Sequence, residues 1–168
     1  MRVYLIGFMG CGKTTLGREL ASKLQYRLID LDHYIEEKEN MKVKEIFAVK
    51  GENHFRLLEK QAIVEMAELD NIVVATGGGL PCFFDNISSL NGSGHSIYLK
   101  VSVTELCRRL KRNKEDRPLV KDKTDEELSG FIEGKLKERE PFYSQAKSII
   151  ESDCIIVNDL LLTLQQKI

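Results

Sequence analysis

Gly7-Phe8-Met9-Gly10-Cys11-Gly12-Lys13-Thr14 is the stretch of sequence that decides the fold. It fits the pattern Gly-x-x-x-x-Gly-Lys-[Ser/Thr], in which a glycine-rich loop turns its backbone amides toward phosphate oxygens. An apolar run at residues 3–6 precedes it, and a helical pattern over residues 13–24 follows. A helix that starts here directs the positive end of its dipole at the same phosphates. The sequence therefore predicts a nucleoside triphosphate site.

The last two residues of this motif have separate roles in such a site. A lysine in this position bridges the β- and γ-phosphates, and the hydroxyl that follows is a ligand for Mg²⁺. Lys13 and Thr14 occupy these positions. We therefore expect the nucleoside triphosphate to be used together with Mg²⁺.

Apolar runs of four to six residues alternate with helical patterns along the chain, as they do in parallel βαβ units. A helix is predicted over 52–69, and capping boxes at Ser102 and Thr124 predict two more, the second ending near Glu140, before Pro141. We predict a three-layer α/β/α fold with a five-stranded parallel sheet, in a single domain over 1–168. The runs predicted as strands are 3–6, 28–31, 72–76, 96–101 and 154–157.

The composition excludes several classes of protein. The chain has 168 residues, enough for about one domain, with 25 basic and 26 acidic side chains. This balance argues against a nucleic-acid-binding or membrane-surface protein, and no apolar run reaches the ~18–20 residues that cross a bilayer. The four cysteines form no Cys-x-x-Cys pair and are predicted to be free thiols. Free thiols favour a reducing, cytoplasmic setting. Separately from the composition, we expect a monomer that binds small molecules.

Two aspartates follow the second predicted strand. If that strand continues to Asp32, Asp30 and Asp32 face the same side, at the carboxyl edge of the sheet where ligands bind in such folds. One carboxylate is then placed to support a metal ion through its water shell. The other can accept a hydrogen bond from a hydroxyl that attacks phosphorus. The alternative is a strand-end and a helix-cap aspartate with no chemical role.

Three consecutive glycines, Gly77, Gly78 and Gly79, follow the third predicted strand. Because glycine in this place costs backbone entropy, we expect a substrate hydroxyl or the γ-phosphate to come very close to the main chain. The alternative is a flexible turn between a strand and a helix.

Arginines at three places predict a small anionic acceptor, since a guanidinium binds a carboxylate or phosphate through paired hydrogen bonds. Arg56 has Glu59 three residues further along a predicted helix, where the carboxylate can hold it in place. Arg139 stands near the end of another helix. Arg117 belongs to the stretch 108–123, with eight basic and three acidic residues. That stretch is either a solvated helix end and loop or a mobile loop that closes over a polyanion.

These motifs, in this order, resemble those of shikimate kinases, P-loop proteins similar to nucleoside-monophosphate kinases. The resemblance covers nearly the whole chain. Besides the loop that begins at Gly7, it rests on Asp30-Leu31-Asp32, Gly51-Glu52-Asn53-His54-Phe55-Arg56-Leu57-Leu58-Glu59, Gly77-Gly78-Gly79, Arg117-Pro118-Leu119 and Arg139-Glu140-Pro141-Phe142-Tyr143.

The resemblance implies a nucleoside-monophosphate-kinase-like fold with a mobile lid at about 112–124 and acceptor-binding helices at about 32–60. It also implies ATP-dependent phosphorylation of the 3-hydroxyl of shikimate, in the pathway to aromatic amino acids. By position, the implied catalytic residues are Lys13, Asp32 and Arg117. Those implied for the nucleotide are Gly10, Cys11, Gly12, Lys13, Thr14, Thr15, Arg112 and Arg117. Those implied for the acceptor are Asp32, Phe47, Phe55, Arg56, Gly77, Gly78, Gly79, Pro118, Leu119 and Arg139. Thr14 and Asp30 are implied for the metal, and Glu59 is implied to steady Arg56. The Gly79 backbone amide is implied to donate to a hydroxyl of the acceptor.

The chain departs from the family in one place. Some members carry an Arg-x-x-Pro-like element after the last strand, whereas this chain reads Val157-Asn158-Asp159-Leu160-Leu161, so the resemblance assigns no adenine contacts there. Two other functions stay open. One is a related kinase acting on gluconate or a nucleoside monophosphate, against which the acceptor motifs argue. The other is a catalytically silent nucleotide-binding module, against which the complete set of catalytic residues argues.

Overall fold

The computed structural model describes residues 1–112 and 123–165. In this part of the chain five parallel strands form one sheet, in the order β2-β3-β1-β4-β5. The predicted fold class is confirmed. The strands are β1 (Arg2–Ile6), β2 (Arg27–Asp30), β3 (Ile72–Ala75), β4 (His95–Lys100) and β5 (Ser148–Glu151).

Helices connect the strands, and α1 has the bounds that the sequence predicts. A short 3₁₀ helix at Leu80–Cys82 follows the three glycines. The predicted acceptor-binding region, 32–60, contains α2, α3 and the start of α4. The helices are α1 (Lys13–Leu24), α2 (Leu31–Glu39), α3 (Val43–Lys50), α4 (Glu52–Ala67), α5 (Asn86–Ser93), α6 (Val103–Arg112), α7 (Asp125–Tyr143) and α8 (Val157–Gln165).

The sheet is buried on both faces, and the central strand β1 shows how. Val3 and Leu5 point into a hydrophobic cluster with α1, α6, α7 and α8, whereas Tyr4 and Ile6 point into a second cluster with α2, α3, α4 and α5. All four side chains are fully buried. Since successive strand residues face opposite sides, a strand covered on both faces must be apolar throughout.

The fifth strand is not where the sequence predicts it, so the prediction for 154–157 is wrong. Those residues lead into α8, and β5 is Ser148–Glu151, paired in parallel with β4. Both stretches contain two consecutive isoleucines, and local β-propensity does not choose between them. Pairing with β4 determines which of the two stretches forms the strand. Because β5 is an edge strand it is only partly buried, with Ile149 46% exposed, so it lacks the continuous apolar pattern of an inner strand.

The two predicted capping boxes differ. At Thr124 both bonds are present: the hydroxyl accepts from the Glu127 amide at 3.3 Å, and the Glu127 carboxylate accepts from the Thr124 amide at 2.7 Å. At Ser102 the hydroxyl accepts from the Glu105 amide at 3.2 Å, but the Ser102 amide donates to Asp153 instead. The Glu105 carboxylate instead accepts hydrogen bonds from two arginines of α6.

Helix α7 does not end near Glu140, as predicted, but continues through Pro141 to Tyr143. A proline near the end of a helix removes one backbone donor, and the helix is closed by the Ser144 amide, which donates to the Glu140 carbonyl at 2.9 Å. The added length carries Tyr143 into the core, where it is fully buried. Helix α4, by contrast, ends two residues before its predicted limit.

Most of the predicted lid, at about 112–124, lies outside the described residues, and with it Arg117, Pro118 and Leu119. None of the helices in 1–112 and 123–165 has the length and apolar character needed to cross a membrane.

Candidate active site

A cleft of about 680 Å³ opens at the carboxyl edge of the sheet, where the segments after β1, β2 and β3 meet. Ligands bind at this edge in open parallel sheets. The start of α8 and the inner face of α6 complete its walls. Of the residues predicted to bind the nucleotide, the cleft is lined by Gly10, Cys11, Gly12, Lys13, Thr14, Thr15 and Arg112.

The loop after β1 requires glycine at three positions. Gly7, Gly10 and Gly12 have φ values of 141°, 84° and 104°, which residues with a Cβ rarely adopt. This backbone leads directly into α1, whose first residue is Lys13. The Lys13 ammonium donates to the carbonyls of Gly7 and Phe8 at 2.8 and 3.0 Å and so lies across the mouth of the loop.

Thr14 and Asp30 form a pair of oxygen donors beside the loop. The Thr14 hydroxyl donates to Asp30 Oδ2 at 2.8 Å. Hydroxyl and carboxylate oxygens are the donors that Mg²⁺ prefers, and it usually takes few of them from the protein and the rest from water and phosphate. The residues fit such an ion. Accordingly, the described residues contain no group of three or more His, Cys, Asp or Glu side chains that could hold a metal by themselves.

The two aspartates share the cleft, but not for the reason that the sequence suggests. Strand β2 ends at Asp30 and α2 begins at Leu31, so the expectation of a strand continuing to Asp32 is wrong. Asp30 caps α2, accepting from the His33 amide at 3.4 Å, while also lining the cleft. Asp32 lines it from the first turn of the helix. Asp30 therefore caps a helix and also lines the cleft, and its role toward a metal ion stays a prediction.

Burial raises the pKa of the Asp32 carboxyl, and the negative charge of Asp30 raises it further. The cations Lys13 and Arg56 act in the opposite direction. The charges of Lys13, in the phosphate loop, and of Arg56, in α4, thus both act on Asp32, and the net shift of its pKa is upward.

Arg56 is held rigidly by two carboxylates of its own helix. Its Nη1 donates to Glu59 at 2.7 Å, and its Nη2 and Nε donate to Glu52 Oε1 at 2.9 and 3.2 Å. The predicted contact with Glu59 is present. The sequence analysis did not consider Glu52 as a partner, although its position four residues before Arg56 is a recognised pairing distance in helices.

Aromatic rings surround the Arg56 guanidinium. Its Cζ lies 5.9 Å from the Phe47 ring centroid and 5.6 Å from that of Phe55, the two rings predicted to line the acceptor site. A third ring, Phe83, is closer, at 4.3 Å. Sequence analysis missed Phe83, because it follows the 3₁₀ helix in a segment with no periodic pattern.

The glycine turn is packed tightly by charged side chains. A Cβ atom at Gly77 would lie 2.8 Å from both Asp32 Oδ1 and Glu59 Oε1, and one at Gly79 would lie 2.8 Å from both terminal nitrogens of Arg56. The predicted approach of a substrate hydroxyl or the γ-phosphate stays a prediction. The groups that approach are the protein's own carboxylates and guanidinium, so the turn is a packed surface and not a loose connection.

Arg139 approaches the same turn from α7. A Cβ at Gly78 would lie 3.3 Å from Arg139 Nη1. Within the described residues, this buried nitrogen and the buried Glu59 Oε1 have no hydrogen-bond partner. Since an unpaired buried polar atom is costly, two of them beside one glycine turn indicate a place that a polar ligand completes.

Burial raises the pKa of the Glu59 carboxyl to about 7, against the opposing effect of the Arg56 guanidinium. Asp32 adds to the rise, and Arg139 opposes it. At pH values between 4.5, the ordinary pKa of a glutamate, and about 7, the folded chain therefore keeps a proton on Glu59 that the unfolded chain releases. By linkage, the contribution of Glu59 to stability falls as pH rises through that window.

We therefore expect the wild type to lose stability relative to Glu59→Gln as pH rises from about 4.5 to about 7. For one proton the slope is at most about 1.4 kcal/mol per pH unit. Urea unfolding of both proteins across this range measures it. The matched control is Glu133→Gln, at an exposed position of α7. Its difference from wild type in free energy of unfolding should vary less with pH. A difference between wild type and Glu59→Gln that does not vary with pH would show that Glu59 stays ionised.

Arg109 of α6 is a further cleft residue that sequence analysis did not single out. Its guanidinium donates to the Cys11 carbonyl at 3.1 Å, to Glu105 at 2.7 Å and to the Asp153 carbonyl at 2.7 Å. It thereby joins the phosphate loop to the segment before α8. Within a stretch rich in basic residues, spacing alone does not distinguish it from its neighbours.

A family model described as shikimate kinase matches residues 9–160 of the chain. A shikimate kinase of Parabacteroides distasonis is 45% identical over 168 residues, which cover 96% of this chain and 97% of that protein. The crystal structure of a shikimate kinase from Bacteroides thetaiotaomicron has a TM-score of 0.92 at 43% identity, covering 99% of this chain and 97% of the other. A shikimate kinase from Acinetobacter baumannii in complex with shikimate has a TM-score of 0.85 at 34% identity, covering 99% and 91%.

Proposed function

The chain belongs to the shikimate kinase family, and from that premise we propose that it transfers the γ-phosphoryl group of ATP to the 3-hydroxyl of shikimate, giving shikimate 3-phosphate and ADP. The observation that carries this proposal is the position of Asp32. It lines the cleft of the phosphate loop, and it also touches the glycine turn against which Arg56 and Arg139 are packed. A hydroxyl beside Asp32 is therefore within reach of both substrates' sites.

On the donor side, Lys13 and the loop amides hold the β- and γ-phosphates and neutralise the charge that spreads over their oxygens. Thr14 and Asp30 are the residues that would hold Mg²⁺, which when bound supplies further neutralisation of the phosphate oxygens. The transition state of phosphoryl transfer is loose, so the main tasks of the protein are alignment and charge stabilisation.

On the acceptor side, Arg56 and Arg139 bind the carboxylate of shikimate, which supplies the missing partner for Arg139 Nη1. Asp32 orients the 3-hydroxyl and accepts its proton as the oxygen attacks phosphorus. A new P–O bond forms to shikimate, and the P–O bond to ADP breaks. Because two glutamates hold Arg56, the carboxylate is bound without reorganisation of that side chain.

The remaining assignments extend this proposal. Arg117 contacts the transferred phosphate from a lid at about 112–124, and Arg112 stacks against adenine. The apolar side of the shikimate ring meets Phe47, Phe55, Pro118 and Leu119. We place the enzyme in the cytoplasm as a monomer that works in the pathway to aromatic amino acids.

A coupled assay of ADP release with Mg-ATP tests the function directly. It is run without acceptor and with shikimate, quinate and gluconate in parallel. We expect strong stimulation by shikimate alone. Stimulation by gluconate would move the substrate assignment to a neighbouring kinase. ATP binding without stimulation by any acid would favour a silent nucleotide-binding module.

Replacing Arg139 by alanine is expected to raise the KM for shikimate by roughly 10–100-fold and to leave the KM for ATP nearly unchanged. The reason is the loss of a charge-assisted hydrogen bond to the acceptor, which contributes about 1.5–3 kcal/mol. Steady-state kinetics with each substrate varied in turn measure both constants. Lys137→Ala, which removes an exposed positive charge from the same helix, is the control. An unchanged shikimate KM in Arg139→Ala would place the carboxylate elsewhere.

A further inference from the structure

Tyr143 has no role in the mechanism above, yet its hydroxyl lies against the glycine turn. It is the last residue of α7 and is fully buried. Its hydroxyl donates a hydrogen bond to the carbonyl oxygen of Gly78. Arg139, one turn earlier on the same helix, is the charged group that faces this hydroxyl.

The hydrogen bond from Tyr143 to the Gly78 carbonyl also fixes the orientation of the Gly79 amide. The C=O of Gly78 and the N–H of Gly79 belong to one planar, trans peptide unit, in which the two groups point in opposite directions. Since the carbonyl points to Tyr143, the Gly79 amide points away from it. The orientation of this donor is therefore set by a hydroxyl on the other side of the peptide.

The Gly79 amide is itself an unsatisfied donor. Gly79 is buried, and within residues 1–112 and 123–165 its N–H donates no hydrogen bond. The neighbouring amide of Leu80, by contrast, donates to the Gly77 carbonyl at 3.3 Å. Buried backbone N–H groups without a partner are rare in proteins, so this one marks a place where a ligand atom accepts.

An unrestrained Gly78–Gly79 peptide would rotate easily, because neither residue has a Cβ to restrict its backbone. The ring of Tyr143 is well placed to prevent this. It packs on the Tyr98 ring with centroids 5.0 Å apart and planes at 45°. The Tyr98 hydroxyl donates to Glu140 at 2.7 Å and takes no part in the bond from Tyr143 to Gly78.

The family resemblance already implies that the Gly79 amide donates to a hydroxyl of the acceptor. We propose that Tyr143 is a positioning residue for this donor: its hydroxyl holds the Gly78–Gly79 peptide in the orientation that the donation needs. This inference rests on the proposed function for the identity of the acceptor. It predicts that the Tyr143 hydroxyl contributes to recognition of one particular hydroxyl, although it does not touch the substrate.

The test is Tyr143→Phe, which removes the hydroxyl and keeps the ring. Calorimetry of the full chain gives dissociation constants for shikimate and for three analogues that each lack one hydroxyl. We expect Tyr143→Phe to weaken shikimate binding about 3–10-fold, in line with one hydrogen bond. For one of the three analogues this loss should disappear, because the amide then has no hydroxyl to bind in either protein. ATP binding should not change.

Tyr98→Phe is the matched control. It removes a hydroxyl from the adjacent ring, and that hydroxyl donates to Glu140 and not to the glycine turn. Its affinity for shikimate should stay near that of wild type, whatever it loses in stability. An equal loss for all four ligands in Tyr143→Phe would overturn the inference, because the hydroxyl would then act through Arg139. So would unchanged shikimate binding. A wild type that does not bind shikimate at all would instead contradict the proposed function, and the inference with it.

Discussion

Asp32→Asn should lower kcat by on the order of 10²–10⁴-fold, the usual contribution of a positioned general base. Asparagine has nearly the same size and can still contact the substrate hydroxyl, but it does not accept a proton. Asp32 is the carboxylate that both lines the nucleotide cleft and touches the glycine turn. ATP binding should persist, because the phosphate loop is unaltered.

The pH dependence of kcat provides a second readout for Asp32. Burial and the charge of Asp30 raise its pKa, and a base works only when deprotonated. Activity of the wild type should therefore fall as pH falls through that raised pKa, and Asp32→Asn should lack this limb. Glu37→Gln, the same kind of change at an exposed position of α2, is the control. A kcat near that of wild type in Asp32→Asn would refute the assignment.

Lys13→Ala is expected to lower kcat by on the order of 10²–10³-fold, the loss seen when one preorganised donor to a transition-state oxygen is removed. Lys13 is the first residue of α1, and its ammonium lies at the mouth of the loop, within hydrogen-bond distance of the Gly7 and Phe8 carbonyls. Alanine is a good helix former, so α1 should be retained.

The measurement for Lys13→Ala is steady-state kinetics together with circular dichroism and thermal unfolding. Lys23→Ala, which removes a lysine from the last turn of the same helix, controls for the loss of a helix charge. It should retain full activity. Retained turnover in Lys13→Ala would mean that the loop does not bind the phosphates as proposed.

The features that sequence predicts well here are those that depend on neighbouring residues in the chain. Gly7, Gly10 and Gly12 meet a local conformational need, and α1 begins where the motif places it. The alternation of strands and helices, which is also local, is enough to predict a parallel sheet with two covered faces.

Where a feature depends on long-range packing, the sequence-based prediction either omitted it or placed it wrongly. The location of β5 is decided by pairing with β4, and the end of α7 by burial of Tyr143. Phe83 and Arg109 belong to the site because they contact Arg56 and Cys11, residues that are distant from them in sequence. The roles of Arg117, Pro118 and Leu119 stay predictions, because these residues lie outside the described part of the chain.

Helix α7 contributes to the hydrophobic clusters on both faces of the sheet. Leu128 and Ile132 belong to the cluster that includes α1, and Tyr143 belongs to the one that includes α4. We therefore expect the two halves of the core to unfold together, because opening one of them disturbs a helix that also packs in the other. A small molecule that binds only the folded chain adds its binding free energy to that whole unit by mass action. Binding at either proposed substrate site should therefore protect the entire protein from unfolding, including parts that touch no ligand.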